Sequence, residues 1–232
     1  MATPARAETL ARIPLFRSLP ATAVDRLDRQ CAWKRAAAGQ WLLDYQDASD
    51  DVFFVVAGAV RVIIQSGGRE VLLREIKAGE FFGELAAIDH QPRSSGIVAV
   101  LDVTIGRMPA SVFRAAVHEH ADVCDQLLAL LAGQIRMLAN RVHEFATLDV
   151  PHRIAAELLR LSRPDKEPGR AIVSPPPIHT EIAARVSTRR EAVARQLNAL
   201  ERAGLIERRR GAIVLTDVDR LRRQVDEAAD EG

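Results

Sequence analysis

Apolar positions change rhythm along this chain, and each change predicts a different element. Between residues 10 and 30, Leu15, Phe16, Leu19, Val24 and Leu27 recur at three to five residues, which predicts helix with Ser18 and Thr22 as candidate caps. From residue 39 to about 109 the pattern becomes short apolar runs cut by turn residues. Runs 52–56, 60–64 and 71–73 are rich in β-branched and aromatic residues, with Ala57-Gly58 and Ser66-Gly67-Gly68 between them as hairpin turns. Short strands at this spacing predict a small antiparallel barrel or roll.

The helical period returns at residue 111 and continues to about 145. Cys124, Leu128, Leu131, Ile135, Leu138, Val142 and Phe145 step alternately by four and three, an unbroken heptad seam with no Pro. One helix packed on its own domain has the same period. Val123, Leu127 and Leu130 add a second apolar stripe, however, which favours a helix covering the barrel on one side and meeting a second copy on the other.

A break at residues 148–151, ending in Pro151, predicts a hinge. Another amphipathic helix follows over 152–162, then a Pro- and Gly-rich loop over 163–177 with a short strand at 171–173. Two helices, 179–186 and 189–203, are joined by a polar turn at Ser187-Thr188, and Gly204 ends the second. Residues 205–207 and 212–215 flank Arg208-Arg209-Arg210-Gly211, a β-hairpin wing with a basic tip. Two short helices and a wing describe a winged helix-turn-helix.

The 232 residues are 48% hydrophobic, enough to bury a core, which excludes disorder. Lys+Arg (32) and Asp+Glu (31) nearly cancel. Residues 178–223 nevertheless hold 11 arginines against 6 acids, a local excess suited to a polyanion. No apolar run reaches a membrane span and no leader pattern opens the chain, so a cytoplasmic protein without membrane contact is expected. Cys31 and Cys124 are too few for a disulfide scaffold or a four-thiolate cluster, and both read as buried small hydrophobes. Motifs of hydrolases, kinases and helical metalloproteases are absent, so no enzymatic constellation is visible.

In the second helix of the pair, Val193, Leu197 and Leu200 supply a buried face. Arg189, Arg190, Glu191 and Arg195 occupy the opposite face near its start. Arg binds guanine O6 and N7 with two bonds and Glu accepts from cytosine N4, while Arg208, Arg209 and Arg210 suit phosphates. The segment STRREAVARQLNALERAGLI resembles the recognition segment of the cAMP receptor protein and fumarate-nitrate regulator (Crp/Fnr) family. That resemblance gives Arg190, Glu191 and Arg195 base-reading roles. Ile178 stands where many relatives carry a phosphate-binding hydroxyl, with Thr180 as the nearest substitute.

The stretch FFGELAAIDHQPRSSGIVAV, residues 81–100, allows a tight turn into a short helix whose free N–H groups favour an anion. It is similar to the phosphate-binding cassette of cyclic nucleotide-binding domains. By that resemblance Glu84 holds the ribose 2′-hydroxyl, and Arg93 and Ser94 hold the cyclic phosphate with the Gly83, Glu84 and Leu85 backbone. Val60, Val62, Leu72 and Leu73 line the sugar and base. The two positions that grip adenine in the cAMP receptor protein fall on Leu138 and Ala139, which make no side-chain hydrogen bond; Asn140 or Gln134 offers a polar replacement. Ser94 follows the cassette Arg, where the resemblance implies a hydroxyl able to contact the guanine amino group of a syn base, so cAMP, cGMP or both are candidate allosteric ligands.

The fold implied is α+β: a cyclic-nucleotide-binding β-roll over residues 10–118, a dimerisation helix over 119–147 and a winged helix-turn-helix over 148–232. The function implied is a homodimeric transcription regulator binding palindromic double-stranded DNA, with RNA polymerase as a further partner. An alternative keeps the DNA binding and changes the sensor to haem, through a residue such as His90, to a redox signal or to no ligand.

Overall fold

The computed structural model describes residues 8–66 and 69–231. The expected Ser66-Gly67-Gly68 turn thus falls partly outside the described residues. Two compact units divide the chain, residues 1–133 and 134–232. The division runs inside the long helix rather than at the ends expected for it.

The first unit opens with 3-10 turns at Leu10–Arg12 and Pro14–Phe16, followed by α1 (Ala21–Asp28). A continuous helix over 10–30 is therefore not formed. Pro14 and Pro20 each remove a backbone donor and restart the chain. Thr9 caps the first turn and Pro20 occupies the α1 N-cap, so Ser18 and Thr22 do not serve.

Strands β1 (Ala32–Ala36), β2 (Trp41–Leu43), β3 (Val52–Ala57), β4 (Ala59–Ser66), β5 (Arg69–Lys77), β6 (Phe81–Phe82), β7 (Gly96–Ala99) and β8 (Val103–Met108) form two antiparallel sheets. Their orders are β1-β8-β3-β6 and β2-β7-β4-β5, which makes the roll. Strand β3 is buried along nearly its whole length because it faces both cores. Val52, Phe54 and Val56 join one, and Phe53 and Val55 join the other. Phe54 lies 5.2 Å from Phe16, 5.9 Å from Phe81 and 6.4 Å from Phe113 between ring centroids, the tilted arrangement that aromatic quadrupoles favour.

Between β6 and β7 sits the short α2 (Glu84–Asp89), and after β8 come α3 (Ala110–Glu119) and α4 (Ala121–Thr147). The single helix expected from 111 is interrupted at His120, whose extended backbone separates α3 from α4. Val123 and Leu127 are buried against the roll core and Leu131 packs beside them. Leu130, expected in the same stripe, is exposed, because the arc of α4 on the core ends short of it. Neither cysteine is fully buried. Burial pushes the Cys31 thiol up to about 12, with Asp28 adding to the rise, so it stays protonated and inert.

In the second unit α5 (Val150–Leu161) begins at an N-cap, Asp149, which accepts from the His152 N–H at 3.0 Å. Strands β9 (Arg163–Pro164) and β10 (Ala171–Val173), helices α6 (His179–Arg185) and α7 (Arg190–Arg202), strands β11 (Ile206–Arg209) and β12 (Ala212–Leu215), and α8 (Val218–Glu231) complete it. Helix α7 stops where Gly204, at φ +70°, lets Leu205 N–H reach Leu200 O at 2.9 Å and Gly204 N–H reach Glu201 O at 3.0 Å. No helix of the described residues is long and apolar enough to cross a membrane.

The break expected at 148–151 is reduced to Leu148-Asp149, because Pro151 is accommodated in the first turn of α5, and charge spans it. Glu157 on α5 is 1% exposed. Its Oε2 accepts from Arg141 of α4 at 3.0 Å and from Arg160, and Arg185 of α6 lies 3.5 Å from its Oε1. Arg141 also donates to the Arg185 carbonyl, and Arg160 reaches Glu144. One buried carboxylate thereby joins the end of α4 to α5 and α6. Replacing Glu157 with Ala leaves arginines packed without their anion, and about 3–5 kcal/mol of the stability of this unit is expected to be lost. A urea melt of the variant checks this; a midpoint equal to wild type would show that the cluster contributes no net stability.

Candidate functional site

The roll brings Glu84 and Arg93 into one buried region. Glu84 is 7% exposed and Arg93 2%. The Arg93 Nη1–H donates to Gly83 O at 2.9 Å, Nη2–H to Asp51 O at 2.8 Å and Nε–H to Ser49 Oγ at 3.1 Å. Its guanidinium also lies 5.8 Å from the Phe53 ring centroid. The 46–51 loop is held against Arg93 by main chain too: Arg93 N–H donates to Asp47 O and Gln46 N–H to Arg93 O, both at 2.9 Å. Burial lowers the Arg93 pKa while Asp47, Asp51, Asp50 and Glu84 oppose the shift. Such a cation stays charged, because arginine begins far above neutrality.

Gly83 is required twice over. Its φ of +86° suits glycine, and a Cβ there would sit 2.7 Å from Arg93 Nη1 and 2.8 Å from Asp51 O. It is the N-cap of α2, whose first residue is Glu84, so the backbone N–H groups of Glu84 and Leu85 open that helix. Burial raises the Glu84 pKa, and the backbone, Arg74 and Arg93 pull it back. Ser94 is exposed beside Arg93.

Along the wall, Val60 and Leu72 are buried and Val62 is half-buried against the same core. Leu73 is the extra residue of a bulge, since Val62 pairs with Arg74 and Ile63 with Leu72, and it is only half-buried. Leu138 and Asn140 lie on the part of α4 that belongs to the second unit, and both are exposed there. A separate cavity of about 300 Å³ is lined by Ser49, Asp51 and Phe53 together with Lys34, Trp41 and Arg107. It touches the partners of Arg93 and none of Glu84, Val62 or Leu72.

Sequence reading missed Ser49, Asp51 and Phe53, because a hydroxyl, a main-chain carbonyl and a ring that meet a residue about forty positions later carry no local signature. It missed Arg74 as well. The available signal was alternation: Arg74 and Ile76 share one face of β5, and Ile76 is in the core.

In the second unit α6 and α7 meet through a four-residue turn in which Ser187 has φ +51° and Thr188 N–H donates to Ala183 O at 2.9 Å. Val193, Leu197 and Leu200 are buried, which turns Arg190, Glu191 and Arg195 to the surface. Arg189 is the exposed N-cap of α7. None of these four makes an ion pair among the described residues. Ile178 is the α6 N-cap, its N–H donating to Glu181 at 3.2 Å, and Thr180 is exposed two residues on.

The wing is tighter than expected, with Arg209 paired to Ala212 and only Arg210-Gly211 at the turn. Arg208 and Arg209 are strand residues with carboxylate partners. Arg208 Nη2–H donates to Asn198 at 2.7 Å and Nε–H to Glu201 at 3.0 Å, and Arg209 forks onto Glu207 at 2.8 and 2.9 Å. The basic tip is thus Arg210 alone, because two carboxylates within reach claim the other two guanidiniums.

Residues 33–120 match the family model of the cyclic nucleotide-binding domain, and residues 152–224 match the Crp-like helix-turn-helix domain. The chain belongs to the Crp/Fnr family of transcription regulators. Among its relatives, the CRP-like cAMP-activated global transcriptional regulator of Mycobacterium tuberculosis is 27% identical over 94% of this chain and 98% of its own. The fold is that of CooA from Carboxydothermus hydrogenoformans, whose N127L/S128L mutant matches with TM-score 0.75 at 22% identity over 85% of this chain and 88% of that one. The c-di-GMP responsive regulator CLP of Xanthomonas campestris matches with TM-score 0.69 at 21% identity over 84% and 99%. The effectors named for these proteins differ, cAMP for the Mycobacterium tuberculosis regulator and c-di-GMP for CLP.

For this Crp/Fnr regulator the raised Glu84 pKa has a stability consequence. The native state holds the Glu84 proton more tightly than the unfolded chain does. Its contribution is complete below the unfolded value of 4.5 and is lost as pH rises through the raised one. At any pH above the unfolded value the buried carboxyl carries a cost, as a desolvated charge or as the uptake of a proton, that Gln does not carry. Glu84→Gln is therefore expected to melt at or above the wild-type temperature at pH 7.5. A fall of several degrees, read by calorimetry without ligand, would show instead that the carboxylate stabilises the roll.

Proposed function

We propose that this regulator binds a cyclic nucleotide in the β-roll and, as a homodimer, reads a palindromic DNA site through α7. The observation that carries the reading is the Arg93 guanidinium, buried beside Glu84 and already oriented by the Gly83 carbonyl. Three of its five N–H groups are donated to protein acceptors, which leaves two for phosphate oxygens. Glu84 would accept from the ribose 2′-hydroxyl, and the Leu85 and Ser94 backbone would complete the phosphate contacts. Relatives named as cAMP-activated support a nucleotide effector.

Homodimer formation is supported by the outer face of α4. Leu128, Ile135, Leu138 and Val142 are 45–69% exposed and follow the heptad seam. In each half-site Arg190, Glu191 and Arg195 would contact base edges, and Arg189, Thr180 and Arg210 phosphates. Arg208 and Arg209 would reach phosphates only by giving up Glu201 and Glu207. Glu157 ties the end of α4 to α5 and α6, so a change in α4 would carry the DNA-binding helices with it. Only a ligand with different affinity for two arrangements can shift their balance.

Isothermal titration of nucleotide-free protein with cAMP and cGMP tests the effector. Binding of at least one is expected, together with a loss of at least tenfold in Arg93→Ala, whose fold circular dichroism monitors; no heat with either nucleotide would overturn the effector reading and leave DNA binding standing. For the DNA interface, Arg190→Ala is expected to weaken a specific site by about 1–3 kcal/mol and to relax selectivity at one base position per half-site. Uniform weakening across all sequences in anisotropy titrations would assign Arg190 to phosphate instead. Ile135→Glu with Val142→Glu is expected to give monomers in sedimentation, and an unchanged dimer would exclude the α4 seam.

A further inference from the structure

Two cations continue inward-facing columns of the first sheet. On β1 Lys34 shares a face with Ala36, and on β8 Arg107 shares a face with Ile105; Ala36 and Ile105 belong to the roll core. Across the sheet Lys34 pairs with Ile105 and Arg107 with Phe53, so both charges stand beside buried apolar side chains. The cavity of about 300 Å³ described above is lined from β1 and from β2, the edge strands of the two sheets. Both cations are in its wall.

That wall is divided chemically. Leu43, Phe53 and Ile105 are buried and apolar, and Trp41, 43% exposed, adds an indole that solvent still reaches. The Trp41 ring is fixed against Gly96, where a Cβ would sit 2.6 Å from Cζ3. The carboxylates are engaged: Asp51 accepts from Arg107 Nε–H at 2.7 Å and Asp47 from the Ser49 N–H at 2.6 Å. Arg35 reaches Glu8 at 3.1 Å. Lys34 makes no ion pair among the described residues.

We propose that this cavity is a second ligand site of the roll and takes a small aromatic carboxylate. The Lys34 ammonium, a lining cation without a carboxylate partner, holds the ligand carboxylate by a charge-assisted hydrogen bond. The ring lies against Trp41 and the apolar side chains, the mixed lining that small-molecule sites share. A volume of about 300 Å³ is at the lower end for such sites and limits the ligand to one or two rings. Glu84 and Arg93 are not in the wall, so the assignment does not rest on the cyclic-nucleotide reading. It nevertheless bears on Arg93. Ser49 and Asp51 line the cavity and accept from Arg93 Nε–H and Nη2–H, so a ligand that shifts their loop is felt at the guanidinium.

NMR titrations of the full chain with benzoate, benzamide and acetate test the site. Trp33 and Trp41 give the two indole N–H signals of the chain, and Trp41→Phe identifies the second. Benzoate is expected to shift the Trp41 signal saturably and to bind at least about tenfold more tightly than benzamide, the contribution of one hydrogen bond to a charged group. Lys34→Met keeps the aliphatic stem; it is expected to remove that advantage and to leave benzamide binding unchanged, which also shows that the variant is folded. The Arg93 Nε–H signal is expected to move with benzoate. No saturable shift, equal affinity for benzoate and benzamide, or unchanged benzoate affinity in Lys34→Met would overturn the site. Acetate binding as tightly as benzoate would show an anion site without aromatic selection and overturn the ligand class. An unmoved Arg93 signal at saturating benzoate would overturn the link to Arg93 and leave the site in place.

Discussion

The buried guanidinium of Arg93 is the constraint around which the N-terminal unit is arranged. A cation cannot be removed from water without acceptors, and the roll supplies two main-chain carbonyls, one hydroxyl and an aromatic ring. Those acceptors come from the 46–51 loop with the start of β3 that follows it and from the turn before α2, so one side chain fastens two separated stretches to its own. Gly83 follows from the same demand. Its carbonyl must reach Nη1, and no Cβ fits between them. The direct hydrogen bonds of Arg93 all go to neutral acceptors, while Asp47, Asp51, Asp50 and Glu84 act on its charge without hydrogen-bonding it among the described residues.

The C-terminal unit uses the opposite solution. Glu157 is as deeply buried as Arg93, yet it is surrounded by Arg141, Arg160 and Arg185. Its charge is spent on architecture, and nothing is left over for a ligand. The contrast separates a structural charge cluster from a candidate binding charge better than burial does. It also accounts for where the chain divides. The first half of α4 is committed to the roll through Val123, Leu127 and Leu131, and its last turns are committed to α5 and α6 through Arg141 and Glu144.

The same distinction applies to the basic surface. Eleven arginines in residues 178–223 are visible as a count, but they are not equivalent. Arg208 and Arg209 are held by Glu201 and Glu207, and the hydrogen bond from Arg208 keeps the Glu201 carboxyl below its usual range. Arg190 and Arg195 stand clear on the outer face of α7. Local charge therefore marks the right segment, while the partners decide which cations are available to DNA.

Much of this protein was legible in its sequence, and the legible parts share a cause. Periods of two and 3.6 residues, and turn residues such as Gly58 and Gly204, act over a few neighbours, so the roll, the long helix and the winged helix-turn-helix could be read before any packing was known. The cassette around Glu84 and Arg93 could be read because its residues lie within one short stretch. Prolines at 14 and 20 and the extended His120 interrupted helices that the apolar rhythm alone would continue. What only the tertiary structure decided is the partner each charge finds, and the decisive ones lie at long sequence separation: Ser49 and Asp51 for Arg93, Arg141 for Glu157, and the Arg185 carbonyl for Arg141. A hydrogen bond or ion pair between residues 16 to 44 positions apart leaves no periodic trace in the chain. Its partners become neighbours only when the hydrophobic cores have brought their strands and helices together.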